Sequence, residues 1–144
     1  MLVISVLVVL VTYVFSGISL YWSMLVSLDR EVKDIAGQVS TYVNEDVHAL
    51  SSMDIFSEMR ITLIEQDGTV IYDSIKDSMT LENHLNRPEI QKALTQKEGR
   101  SLRFSVSQDM QTYYYAVLLD NGICLRISSE IHSLNTVFRT GFLA

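Results

Sequence analysis

The stretch Arg60–Ser74, RITLIEQDGTVIYDS, decides the fold. Two runs rich in Ile, Val, Leu, Thr and Tyr flank Asp67-Gly68. Glycine takes the positive φ of a tight turn without steric cost, so the pattern predicts a β-hairpin. Three more strand patterns lie downstream. RSLRFSVS (100–107) alternates Leu102, Phe104 and Val106 with Arg103, Ser105 and Ser107. QTYYYAVLL (111–119) places Tyr113, Tyr115, Val117 and Leu119 on one face, and Tyr114, Ala116 and Leu118 on the other. Asp120-Asn121-Gly122 reads as the next turn. ICLRISS (123–129) then sets Ile123, Leu125 and Ile127 against Cys124, Arg126 and Ser128. Side chains alternate across a strand, so each run has two distinct faces.

Between the hairpin and the third strand, KDSMTLENHLN (76–86) reads as polar connecting chain and RPEIQKALTQKEG (87–99) as a helix. Pro88 suits the first turn, where its missing N–H costs nothing. Ile90, Ala93 and Leu94 form the buried side, and Gly99 is placed as a left-handed cap. SSMDIFSEM (51–59) reads as a loop or short helix, and EIHSLNTVF (130–138) begins a final helix. Two strands, a helix, three strands and a helix describe a five-stranded antiparallel α+β domain of the PAS-like (PDC/Cache-like) kind, with helices expected on one face.

The N-terminal segment is of another character. From Met1 to Leu28 there is no charged residue. That exceeds the roughly 20 apolar residues needed to cross a bilayer, and Tyr21 and Trp22 stand near its end, where aromatic rings favour the interface. A signal peptide would have a basic start, a shorter core and a cleavage site. Residues 1–28 therefore read as a transmembrane helix. The mixed charges Asp29, Arg30, Glu31, Lys33 and Asp34 leave its orientation open, and the missing basic N-terminus is consistent with a natural start other than Met1. From 29 to 52, Val32, Ile35, Val39, Tyr42, Val43, Val47 and Leu50 recur three or four apart, one apolar stripe on a connecting helix. No proline separates it from the span, so one continuous helix is expected. The stripe has two readings, packing on the sheet or pairing with a second copy. A mixture is expected, dimeric near the membrane and packed on the sheet farther on.

Composition narrows the function. The net charge is −6, with 11 basic and 17 acidic residues, which argues against nucleic acid as a partner. Cys124 is the one cysteine, so no internal disulfide or cysteine metal cage is available, and it reads as a small strand residue. His48, His84 and His132 stand on separate elements with no zinc spacing, and there is neither a glycine-rich phosphate loop nor a G-x-S-x-G motif. No catalysis and no cofactor are expected. The carboxylates of EQD, DSIKDSMTLEN and Asp109 match no EF-hand and read as a solvated acidic surface.

Five pieces in register carry a resemblance: RITLIEQDGTVIYDS, ENHLNRPEI followed by AL, GRSLRFS, TYYYAV and LRIS, over residues 60–128. With the preceding span, they resemble the extracytoplasmic sensor region of Gram-positive sensor histidine kinases of the phosphate-regulon type. The resemblance implies a PAS-like domain at 53–129 outside the cell, and a helix at 130–144 leading to a second span beyond Ala144. It further implies a dimer, a kinase core elsewhere, and a cytoplasmic response regulator as that kinase's partner. The signal, a small molecule, ion or protein, is not named by it, and no kinase core lies within these residues.

Two readings compete for ENHLNRPEI. In the ligand reading, His84, Arg87 and Arg103 converge with Tyr113, Tyr115 and Arg126 on an anion, since arginine binds carboxylate or phosphate bidentately. In the structural reading, which is preferred, Arg87 pairs with Asp73 or another carboxylate, Asn83 or His84 bonds loop backbone, and Pro88 starts the helix. The loop has little apolar content, so polar ties must hold it. A ligand-free dimerisation or interaction module, or a sensor coupled to another output, are the alternatives.

Overall fold

The structure, a computed structural model, describes residues 1–45, 59–105 and 110–131. Its elements are α1 (Leu2–Glu45), β1 (Arg60–Ile64), β2 (Val70–Asp73), a 3-10 turn (Ser78–Thr80), α2 (Pro88–Gln96), β3 (Glu98–Ser105), β4 (Met110–Leu118) and β5 (Cys124–Glu130). The chain forms two compact units, Met1–Glu31 and Val32–Ala144. The expected loop at 51–59, apart from Met59, and the final helix beyond Ile131 lie outside the described residues; Glu130, expected to open that helix, ends β5.

In the first unit, α1 is apolar and solvent-facing. Val3, Leu7, Leu10, Phe15 and Trp22 are all exposed. Water-facing apolar side chains on every side of a helix are what a bilayer would cover. Over Val3–Val43 the helix contains a stretch long and apolar enough to cross one.

In the second unit, the five strands form one antiparallel sheet in the order β2-β1-β5-β4-β3. The hairpin closes as expected. Gly68 has φ 89°, Asp67 Oδ1 accepts from Thr69 N at 2.9 Å, and Glu65 N donates to Thr69 O at 2.8 Å. Gly122, at φ 83°, turns β4 into β5. The helical cap differs from expectation. Lys97, not Gly99, holds the left-handed position, at φ 73°. Gly99 lies in β3 because α2 crosses it closely: an added Cβ would collide with the Glu89 carbonyl oxygen and lie 2.8 Å from Lys92 Cβ.

Helices were expected on one face of the sheet, but α2 and the distal part of α1 take opposite faces. Ile64, Val70, Ala116 and Cys124 form one core with Ile90 and Ala93 of α2. Their strand neighbours point the other way. There Tyr115 and Val117 share a groove with Lys33, Ala36 and Gly37 of α1, and Asn121 Nδ2 donates to Val43 O at 3.3 Å. Val32, Ala36, Val39 and Val43 are buried at i, i+4, i+7 and i+11, while Tyr42, expected in the stripe, is exposed. Burial on both faces explains why β1 is buried at all five positions.

Candidate functional site

The α2 face of the sheet carries charge into the interior. Reading along the register, Arg60 is opposite Ser128, Thr62 opposite Arg126, Arg126 opposite Ala116, and Ser128 opposite Tyr114. On β3, Ser101 pairs with Tyr114 and Arg103 with Thr112. Arg60, Thr62, Arg126 and Ser128 are each at most 5% exposed. Charges taken out of water must be paired and hydrogen-bonded, so the partners of these arginines define the site.

Asp73 ends β2 and receives Arg60 Nε at 3.0 and 2.9 Å on its two oxygens. Thr62 Oγ1 donates to the same carboxylate at 2.9 Å, and the backbone N–H groups of Ile75 and Lys76 at 3.0 and 2.9 Å. Burial pushes the Asp73 carboxyl up, but the N–H groups of Lys76 and Ile75 and the Arg60 guanidinium outweigh it and hold it below the usual range.

Glu89, at the second position of α2, is the other anchor and is fully buried. Its Oε1 lies 3.2 Å from Arg103 Nη2 and 3.6 Å from Arg126 Nη1, and its Oε2 accepts from Ser101 Oγ at 2.8 Å. Burial again raises the carboxyl, but its own backbone N–H, Ser101 and Arg103 bring it below the usual value. The ring centroid of Tyr114 lies 4.1 Å from Arg103 Cζ and 5.2 Å from Arg126 Cζ, within cation–π range of both. Arg126 Nη2 donates to Thr62 Oγ1 at 3.1 Å, which joins the two carboxylate clusters into one network.

The loop 74–87 closes over this face through backbone ties. His84 N donates to Gly68 O at 2.8 Å, Asn83 Nδ2 to Asp67 O at 2.9 Å, and Arg87 N to His84 O at 3.0 Å. The His84 side chain is 5% exposed, and burial, then the positive charges of Arg126, Arg87 and Arg60, push its pKa down to about 4. Among the described residues, His84 Nδ1, Arg103 Nε, Arg126 Nε and Ser128 Oγ are buried without a hydrogen-bond partner.

The expected site residues thus separate. His84, Arg103 and Arg126 come together around Glu89. Arg87 pairs with Glu82, not with Asp73, whose partner is Arg60. Pro88 opens α2. Tyr113 and Tyr115 stand on the opposite face. Tyr115 Oη donates to Glu98 Oε2 at 2.9 Å, and its ring lies 5.4 Å from Arg100 Cζ and 5.9 Å from Lys33 Nζ. Tyr114, on the other side of that strand, is the aromatic residue of the site. Sequence reasoning missed Glu89, Arg60, Thr62 and Ser101. The available signal was the pair of arginines, Arg103 and Arg126, on strands whose alternate residues are apolar, since a cation carried toward the interior requires a carboxylate from elsewhere.

No protein-family model matches the chain, and no curated protein is significantly similar to it. Solved structures similar to it include the extracellular domain of a candidate histidine kinase, rpHK1S-Z16, at 18% identity and a TM-score of 0.47, covering 66% of this chain. Another is the Bacillus subtilis YkuI protein, with an EAL domain, in complex with substrate c-di-GMP and calcium, at 14% identity and a TM-score of 0.40, also over 66% of this chain. The matched region spans 39% and 32% of those two chains. The PAS-like assignment rests on the strand order and register of this chain itself.

Proposed function

We propose that this chain is the extracytoplasmic sensing module of a membrane-bound two-component sensor histidine kinase, working as a homodimer. One observation carries the reading. A helix able to cross a bilayer runs unbroken to Glu45, and the sheet unit that includes its distal part buries arginines with unfilled donors under a loop. An anionic signal gripped by Arg103 and Arg126, with His84 and Arg87 beside them, would shift α2 and its loop. Such a signal moves helices only if it binds two arrangements with different affinity. In this reading the kinase core belongs to the chain beyond Ala144, a cytoplasmic response regulator is that kinase's partner, and the phosphate-regulon type remains part of the proposal.

The test is to read the gene onward from Ala144. A second apolar span, a linker helix and a histidine-bearing dimerisation helix support the reading. A stop codon before any second span would defeat the kinase assignment. In an intact parent, Arg103→Ala with folding retained and signalling lost supports a ligand site, and lost folding supports a structural tie.

A second reading has its own observation. β3 is a sheet edge, and on it Leu102 and Phe104 are 39% and 55% exposed. An apolar edge favours a membrane-anchored dimerisation or interaction module without a small ligand. Leu102→Lys with Phe104→Lys tests it: an interaction module loses its association, and a variant that keeps its association and responds to an anion refutes this second reading.

A further inference from the structure

Glu89 is buried although its neighbours on α2, Gln91, Lys92 and Thr95, face solvent. Its carboxylate serves two guanidiniums through one oxygen and Ser101 through the other. Two positive charges therefore share one negative charge. The other partner of Arg126, Thr62 Oγ1, is neutral, and the nearby Asp73 is engaged by Arg60. Arg126 is 2% exposed, so water does not make up the difference. Arg103 Nε, Arg126 Nε and Ser128 Oγ are buried without a hydrogen-bond partner among the described residues. A carboxylate has two oxygens, which cannot serve all these groups at once.

We infer that Glu89 is an internal ligand seated in a two-arginine anion site, and that a small polyoxygen anion, a dicarboxylate or a phosphoryl group, competes with it for Arg103 and Arg126. The inference rests on the sensor reading above and adds the resident occupant. An anion with three or more oxygens offers more acceptors than Glu89, whose two oxygens already serve both guanidiniums and Ser101. A monocarboxylate only duplicates Glu89. Arg103 marks the entrance, since it lies on the edge strand and its side chain is 26% exposed. Release of Glu89 frees the first turn of α2. The far end of α2 passes through Lys97 into β3, where Glu98 meets Lys33 of α1 at 3.9 Å. Exchange at Glu89 is thereby linked, along the backbone to Glu98 and through its ion pair with Lys33, to the helix that leads from the apolar segment.

The test uses the full chain in lipid nanodiscs, with malonate and inorganic phosphate as probes and acetate and chloride as controls. Glu89→Gln keeps the shape and removes the competing charge. Calorimetry is expected to show malonate or phosphate binding the variant about tenfold or more tightly than the parent chain, with no such gain for acetate or chloride. A gain for malonate alone identifies a carboxylate ligand, and for phosphate alone a phosphoryl ligand. In the unmutated chain the binding probe should speed amide hydrogen exchange over residues 89–93, because Glu89 leaves its seat. This second measurement stands even if Glu89→Gln does not fold. Equal affinity in both chains, or slower exchange over 89–93, would mean that the anion binds with Glu89 in place; that overturns the internal ligand and leaves a ligand site standing. Absence of binding to either chain at millimolar probe also overturns it, while the sensor reading still answers to the gene beyond Ala144.

Discussion

Arg60 holds Asp73 through a single nitrogen, Nε, which lies 3.0 and 2.9 Å from the two carboxylate oxygens, and the two side chains are 5% and 0% exposed. The pair joins the start of β1 to the end of β2, and so ties the hairpin shut at its open end. Asp73→Ala strands the guanidinium and removes the acceptor for Thr62, Ile75 N and Lys76 N. Urea denaturation should show a loss of about 3–5 kcal/mol.

The same residue sets part of the acid response. Burial raises the Asp73 carboxyl, but its N–H and arginine partners win, so its folded pKa is below the unfolded value of about 3.9. A depressed carboxylate pKa stabilises the fold above the unfolded value, and that stabilisation is lost as pH falls through the folded value. Asp73→Asn should therefore cost most near neutrality and progressively less below about pH 4. A cost that does not change with pH would refute the assignment.

His84 acts in the opposite direction. Its folded pKa is about 4, lowered from 6.5 first by burial and then by Arg126, Arg87 and Arg60. Between these values the unfolded chain takes up a proton that the folded chain refuses. Stability should fall with pH over that window, by about 3 kcal/mol in all, and level off below it. His84→Gln, which does not titrate, should remove this fall in denaturant midpoints measured from pH 7 to 4.5.

Gly99→Ala should cost about 3 kcal/mol or more, at the upper end of overpacking, because the new methyl meets the Glu89 backbone carbonyl, which cannot rotate away. The variant should also loosen Glu89, read as faster amide exchange in the first turn of α2.

Cys124 is fully buried, and burial pushes its thiol up to about 12. The thiolate is the reacting form, so a thiol reagent at pH 8 should label it only when the sheet opens. Labelling at the rate of a free thiol in the folded protein would contradict its place in the core.

The hairpin, the alternating strands, the helix after Pro88 and the apolar helix were legible because each depends on neighbours within a few residues. Turn glycines and two- or three-to-four-residue periodicities are local properties. Gly99 shows the limit of local reading. Its position after a helix suits a cap, but the positive φ fell to Lys97, and the glycine serves close approach of two backbones.

The candidate site lay beyond such reading. Alternation separated Tyr113 and Tyr115 from Tyr114, yet which set would meet the arginines depended on where α2 and α1 dock. Glu89 looked ordinary, since an acid in the first turn of a helix is favoured by the helix dipole and is normally solvated. Its burial comes from Arg103, 14 residues on, and from Arg126 on another strand. The sequence by itself determined which segments become helix and strand and where the chain turns. The tertiary structure alone decided which charges share a desolvated space, because that depends on docking between segments far apart in the chain.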